Sequence, residues 1–109
     1  MRRLILRAEA EIDIASAFNH ALLFSARRSQ NLLEAVDEGL HLIEEQPRLY
    51  AVRSEGVRRM NLSGVPFALI FRFYEAGEFE GTTDEIVAVI GLIHQAQDLV
   101  RFVSRLENP

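Results

Sequence analysis

The sequence contains no cysteine and no lysine. Without cysteine there is no disulfide framework, no thiolate nucleophile and no cysteine-based metal site. Without lysine all 12 basic residues are arginine, whose very high pKa makes it a good bidentate partner for carboxylates and phosphates and a poor proton shuttle. Any proton chemistry therefore falls to His94, Tyr74 or a carboxylate. The three histidines, His20, His41 and His94, form no close pair at ligand spacing, so neither a metal nor a cofactor is expected. No apolar run reaches the ~18 residues that a membrane span needs. The N-terminus also lacks a charged-then-apolar signal segment, so a cytoplasmic protein with no membrane partner is expected.

What is present fits one domain covering residues 1–109, because 49% hydrophobic content over that length supports a single core. The 16 acidic residues outnumber the basic ones and leave a net charge of −4. That balance argues against a broad grip on nucleic acid, which draws most of its strength from neutralised phosphates.

The most organised stretch is Val57 to Phe73, VRRMNLSGVPFALIFRF, which reads as two strands joined by a turn at Ser63, Gly64 and Pro66. Its partner is Ile86 to Ile93, IVAVIGLI, a central strand buried on both sides and ended by His94. Arg58, Arg59 and Arg72 decorate the hairpin. Upstream, Arg2 to Arg7 suits an edge strand kept soluble by its arginines. Ile12, Ala15, Phe18 and Leu22 then recur at helical spacing over about residues 10–24, with Ile14, Ala17 and Ala21 widening the stripe. Ser25 to Ser29 interrupts the pattern. Leu32, Leu33, Val36, Leu40 and Ile43 restart it over about 29–46, and Pro47 closes it. Tyr50 and Val52 show period two. Glu75 to Glu85 forms an exposed acidic loop in which Phe79 is either an anchor or a protein contact. Leu99, Val100, Phe102, Val103 and Leu106 are spaced for a C-terminal helix. The elements therefore follow in the order β-α-α-β-β-β-α, an α+β chain with an N-terminal helical hairpin and a C-terminal helix.

Several of these residues together resemble the RelE/ParE superfamily of type II toxin–antitoxin toxins, also known as plasmid stabilisation proteins. They are Ala10 and Asp13 opening the first helix, Pro47 and Tyr50 after the second, and Val57-Arg58-Arg59. Pro66-Phe67 leads a strand, and Val87-x-Val89 runs into His94-Gln95 and Asp98. The resemblance implies a small twisted antiparallel sheet flanked by the helical hairpin and the C-terminal helix, and a cognate antitoxin whose C-terminal segment wraps the toxin. It also implies one of two targets: ribosome-bound messenger RNA, cut by the RelE-like branch, or DNA gyrase, poisoned by the ParE-like branch.

Many relatives carry two arginines where this chain has Ala96 and Gln97, and the acidic charge opposes contact with RNA. A ParE-like action is the expectation, with a ribosome-dependent endoribonuclease or an inactive homologue that only binds its antitoxin as alternatives. If the chain is a nuclease, Arg58 and His94 are the catalytic candidates. In the ParE-like reading, Arg59, Arg72, Arg101, Phe102 and Arg105 are candidates for binding the target or the antitoxin. Each has a plainer role available: His94 as a hydrogen-bonded strand end, Arg72 as the partner of a loop acid, and one of Arg58 and Arg59 as the partner of a carboxylate.

Overall fold

The computed structural model describes residues 1–53 and 55–96. The sequence-predicted C-terminal helix, with Arg101, Phe102 and Arg105, lies outside the described residues. The elements are β1 (Arg2–Leu6), α1 (Ala8–Leu22), α2 (Ala26–Glu45), a 3-10 turn (Pro47–Leu49), β2 (Arg58–Asn61), β3 (Phe67–Tyr74) and β4 (Glu85–His94). They form one four-stranded sheet in the order β1-β4-β3-β2, an α+β arrangement with two helices against the sheet.

The sheet is antiparallel from β2 through β4, as expected, but β1 pairs parallel with β4. The helical hairpin explains this. Arg2, at the start of β1, donates to the carbonyls of Glu44 and Glu45 at the end of α2, so the two helices return the chain to the end of the sheet where it began. Three antiparallel strands then follow, and the last of them runs alongside β1 in the same direction. Arg2 also satisfies carbonyls that a helix end leaves open, and its charge opposes the negative end of the helix dipole.

The second helix is an amphipathic element of regular period, burying Ser29, Leu32, Val36, Gly39 and Ile43. It starts earlier than the sequence spacing suggested, because Ser25 is its cap: the Ser25 hydroxyl accepts from the Arg28 N–H at 3.1 Å. At Gly39 the helix presses on the sheet so closely that an added Cβ would collide with a methyl of Leu62 and approach one of Leu69 at 3.0 Å. The first helix buries only one side of the broad stripe that its spacing suggested. Ala10, Ile14, Ala17 and Phe18 pack on the core, whereas Ile12 is 67% exposed and Leu22 is also exposed. Both periodicities fit a helix, and only the docking angle chooses between them. Tyr50 and Val52 form no strand; Val52 makes one isolated bridge to Arg58.

The helix-side core joins these residues to Met60, Leu62, Leu69, Phe71, Val87, Val89 and Leu92. A second buried cluster, Val57, Ala68, Ile70, Ile90 and Ile93, belongs to the other face of the sheet. As read from the sequence, β4 is central and buried from Ile86 to Ile93. The acidic loop is tied down at several points: Glu75 and Glu85 pair with Arg48, Glu85 with Arg2, and Asp84 with Arg3 and the N-terminal amine. The Glu75 hydrogen bond, opposed by partial desolvation, is the first cause holding the Arg48 guanidinium above its ordinary pKa. Phe79 is half-buried with its ring edge-on to Tyr74 at 5.1 Å, which makes it a loop anchor.

Candidate partner-binding surface

Strand alternation alone would place Val87, Val89, Gly91 and Ile93 on one face and Ile90, Leu92 and His94 on the other. The ladder between β3 and β4 breaks that alternation. Ile70 pairs with Gly91 but Phe71 pairs with Val89, leaving Ile90 as the extra residue of a bulge. Beyond it the faces exchange: Leu92 joins the helix-side core, Ile93 the opposite cluster, and His94 turns toward the helices. Gly91, an isolated glycine inside an apolar strand, is the signal in the sequence that marks such a site.

The bulge is held by α1. The Leu92 N–H, on the stretch of β4 that continues past the end of β1 at Leu6, donates to the Asp13 carboxylate at 3.1 Å. Asp13 therefore fixes the helix to the strand at the point where the strand changes face. We expect Asp13→Ala to lower the unfolding free energy by about 1–3 kcal/mol, the cost of leaving a part-buried N–H unsatisfied. Urea unfolding measures this, and amide exchange at Leu92 should accelerate in the same variant. An Asp13→Ala protein as stable as the parent would mean that water replaces the carboxylate without loss.

His94 consequently lines a cleft of about 580 Å³ at the end of the sheet, between the tip of the helical hairpin and the β2–β3 turn. His20, Phe24, Arg28 and Asn31 contribute from the helices, and Val65, Pro66 and Phe67 from the sheet side. The aromatic groups are arranged edge to face, with His20 on Phe24 at 5.3 Å and His94 on Phe67 at 5.7 Å. The Arg28 guanidinium rests 5.1 Å from the centre of the Phe24 ring. Leu23 is 81% and Phe24 62% exposed at the hairpin tip. The His94 Nδ1 accepts from the Ala96 N–H at 3.2 Å, the strand-end role that the sequence also allowed.

The arginines singled out in the sequence are dispersed and bound to carbonyls. Arg58 donates to the Tyr50 carbonyl at 2.7 Å and Arg59 to the Gln95 carbonyl at 2.5 Å and the Asn61 side chain at 3.1 Å. Arg72 donates to the Glu55 carbonyl. None of these three pairs with a carboxylate among the described residues, contrary to the expectation for one of Arg58 and Arg59, and Arg72 does not take the loop-acid role that was its alternative. Arg58 stands in register with Phe71, and His94 with Phe67. Four residues along β3 thus separate them, about 13 Å at ~3.3 Å per residue, and the structure does not bring Arg58 and His94 together. Gln95, quoted only as part of the family pattern, proves to be a hub. Its amide nitrogen lies 3.1–3.3 Å from the carbonyls of Leu62, Val65 and Phe67, and its backbone N–H donates to Pro66, so it pins the β2–β3 turn to the end of β4.

No protein-family model matches the sequence, and no curated protein matches it either. Among solved structures, the fold matches a chain of the chromosomal ParDE TA system from P. aeruginosa with a TM-score of 0.66. Identity is 18%, and the alignment covers 86% of this chain and 96% of that one. At that identity the likeness is one of fold: the α+β architecture is shared with a chain of a ParDE system. Among the described residues no helix is long and apolar enough to cross a membrane, and no cluster of candidate ligands could hold a metal ion.

Proposed function

We propose that this chain is the toxin of a type II toxin–antitoxin module, ParE-like in action: it arrests growth by engaging DNA gyrase and is neutralised by a cognate antitoxin. The observation that carries the reading is the fold shared with a ParDE chain over nearly the full length of both. The dispersal of the nuclease candidates supports a protein target over RNA. An acid–base cleavage needs its proton-transfer group and its charge-stabilising group around one phosphate, whereas Arg58 is held on the Tyr50 carbonyl and His94 lies at the far end of β3. The net charge of −4 acts in the same direction. Arg101, Phe102 and Arg105, with Arg59 and Arg72, remain the proposed contacts for target or antitoxin.

The test is expression of the chain without its neighbouring reading frame. Growth arrest should accompany gyrase-dependent DNA breaks, with messages intact by primer extension. His94→Ala and Arg58→Ala, checked for folding, should keep the arrest within a few-fold, because loss of a proton-transfer group would cost about 10²–10⁴ in rate. Truncation of Phe102, Arg101 or Arg105 should weaken it stepwise. Message cleavage that disappears in folded His94→Ala would replace the gyrase reading with the ribonuclease one. Calorimetry with the product of the neighbouring reading frame tests the antitoxin, and no binding at micromolar concentration would remove the module altogether.

A further inference from the structure

We propose that the outer face of α1 pairs with the same face of a second copy of this chain, the two helices lying antiparallel across a twofold axis. This surface does not depend on the activity proposed above.

The first argument is that α1 carries two apolar faces and the core takes one of them. Ala10, Ile14, Ala17 and Phe18 pack on the sheet side. On the opposite side Ile12, Ser16, Asn19 and Leu23 follow at i, i+4, i+7 and i+11, the spacing of a seam between two helices. Leu23 belongs to that row because it keeps helical backbone angles, φ −62° and ψ −25°. All four are exposed, as are Ala15 and Leu22 beside them. In a chain that is 26% charged, the stretch from Ile14 to Phe24 holds no aspartate, glutamate, arginine or lysine. Depletion of charge together with exposed large apolar side chains marks the centre of a protein contact, since a merely solvated helix face has no need to avoid charge.

The second argument is that this face is its own complement, and it selects a second copy. An isologous pair makes every contact twice, so residue i must suit residue j of the partner and j must suit i. Consider the antiparallel register that sets Ile12 against the partner's Leu23. The same register sets Ser16 against Asn19, hydroxyl to amide, and both polar pairs and both apolar pairs are then matched. One step further along the row, Glu9 in the acidic first turn reaches the partner's hairpin tip. That tip exposes Arg27 and Arg28, with the Arg28 guanidinium over the Phe24 ring. Apolar, polar and charged groups all meet their complements in one register, whereas a parallel pairing would bring Glu9 against Glu9. The seam from Ile12 to Leu23 spans about 17 Å at ~1.5 Å per residue. So short a contact gives a reversible dimer, with a Kd of about 10–100 μM.

Sedimentation velocity of the full chain from about 5 to 500 μM brackets that range, and the weight-average mass should rise from monomer to dimer across it. Ile12→Glu and Leu23→Glu should each weaken the dimer about tenfold or more. Glu9→Arg should weaken it about three- to tenfold, as should Arg27→Glu/Arg28→Glu, and the protein carrying all three substitutions should regain most of the loss. Leu49→Glu, at an exposed position in the 3-10 turn, should leave the dimer unchanged. Each variant is checked for folding by circular dichroism, and Ile12, Leu23 and Leu49 are all exposed, so their loss removes no core contact.

A chain that stays monomeric at about 500 μM would overturn the proposal, because a seam of this size should be mostly occupied there. So would a dimer that Ile12→Glu and Leu23→Glu leave intact, or one that Leu49→Glu disrupts, since the contact would then lie elsewhere. A triple charge reversal no better than Glu9→Arg alone would overturn the antiparallel register.

Discussion

Replacing Phe71 by alanine is expected to lower the unfolding free energy by about 3–5 kcal/mol, the range for removing a fully enclosed aromatic ring. Phe71 is 0% exposed and heads the fully buried side chains by volume. Its ring meets that of Tyr50 edge-on at 6.0 Å, and its backbone pairs with Arg58 on one side and Val89 on the other. It belongs to the helix-side core together with residues of α2, β2 and β4, and its own backbone is fixed between two strands, so the cavity stays open and its cost is added to the transfer term. Against a total stability of about 5–15 kcal/mol for a domain of this size, the variant should stand close to the folding threshold. Urea unfolding followed by circular dichroism reads the change. A midpoint within error of the parent would mean that the helix-side core does not close over this ring.

A comparable effect is expected from the other face of the sheet, where Ile90→Ala should cost about 2–5 kcal/mol. Ile90 is 3% exposed and packs with Val57, Ala68, Ile70 and Ile93. It is also the extra residue of the bulge, so its side chain defines where the strand changes face. The substitution leaves the Asp13 bond to Leu92 in place, which separates loss of packing from loss of the bulge. Ile90→Ala should therefore lower global stability while amide exchange at Leu92 changes only as much as the global stability does. A variant of unchanged stability would show that this face gains little from burial. A selective rise in exchange at Leu92 would show that Ile90 itself maintains the bulge.

The sequence by itself determined the element types and their order from β1 to β4, and with them the α+β class. Long runs such as Ile86 to Ile93 and the regular stripe from Leu32 to Ile43 leave little choice, because burial of apolar surface along a fixed period is a local property. It also fixed the charge balance and, through the absence of cysteine and lysine, the chemistry available. Tertiary structure decided what depends on two elements meeting. Both Ile12 and Ile14 fit a helical stripe, and only the docking of α1 on β4 buries one and exposes the other. The partners of Arg58, Arg59 and Arg72 were expected to include carboxylates, but the closed sheet offers them the carbonyls of Tyr50, Gln95 and Glu55. His94 was legible as the end of a strand, yet the face it takes is set by a one-residue bulge at Ile90, next to which Asp13 binds the N–H of Leu92, 79 positions away. A one-residue change in register moves every later side chain to the opposite face, so the cleft exists through a contact between residues that no local pattern relates.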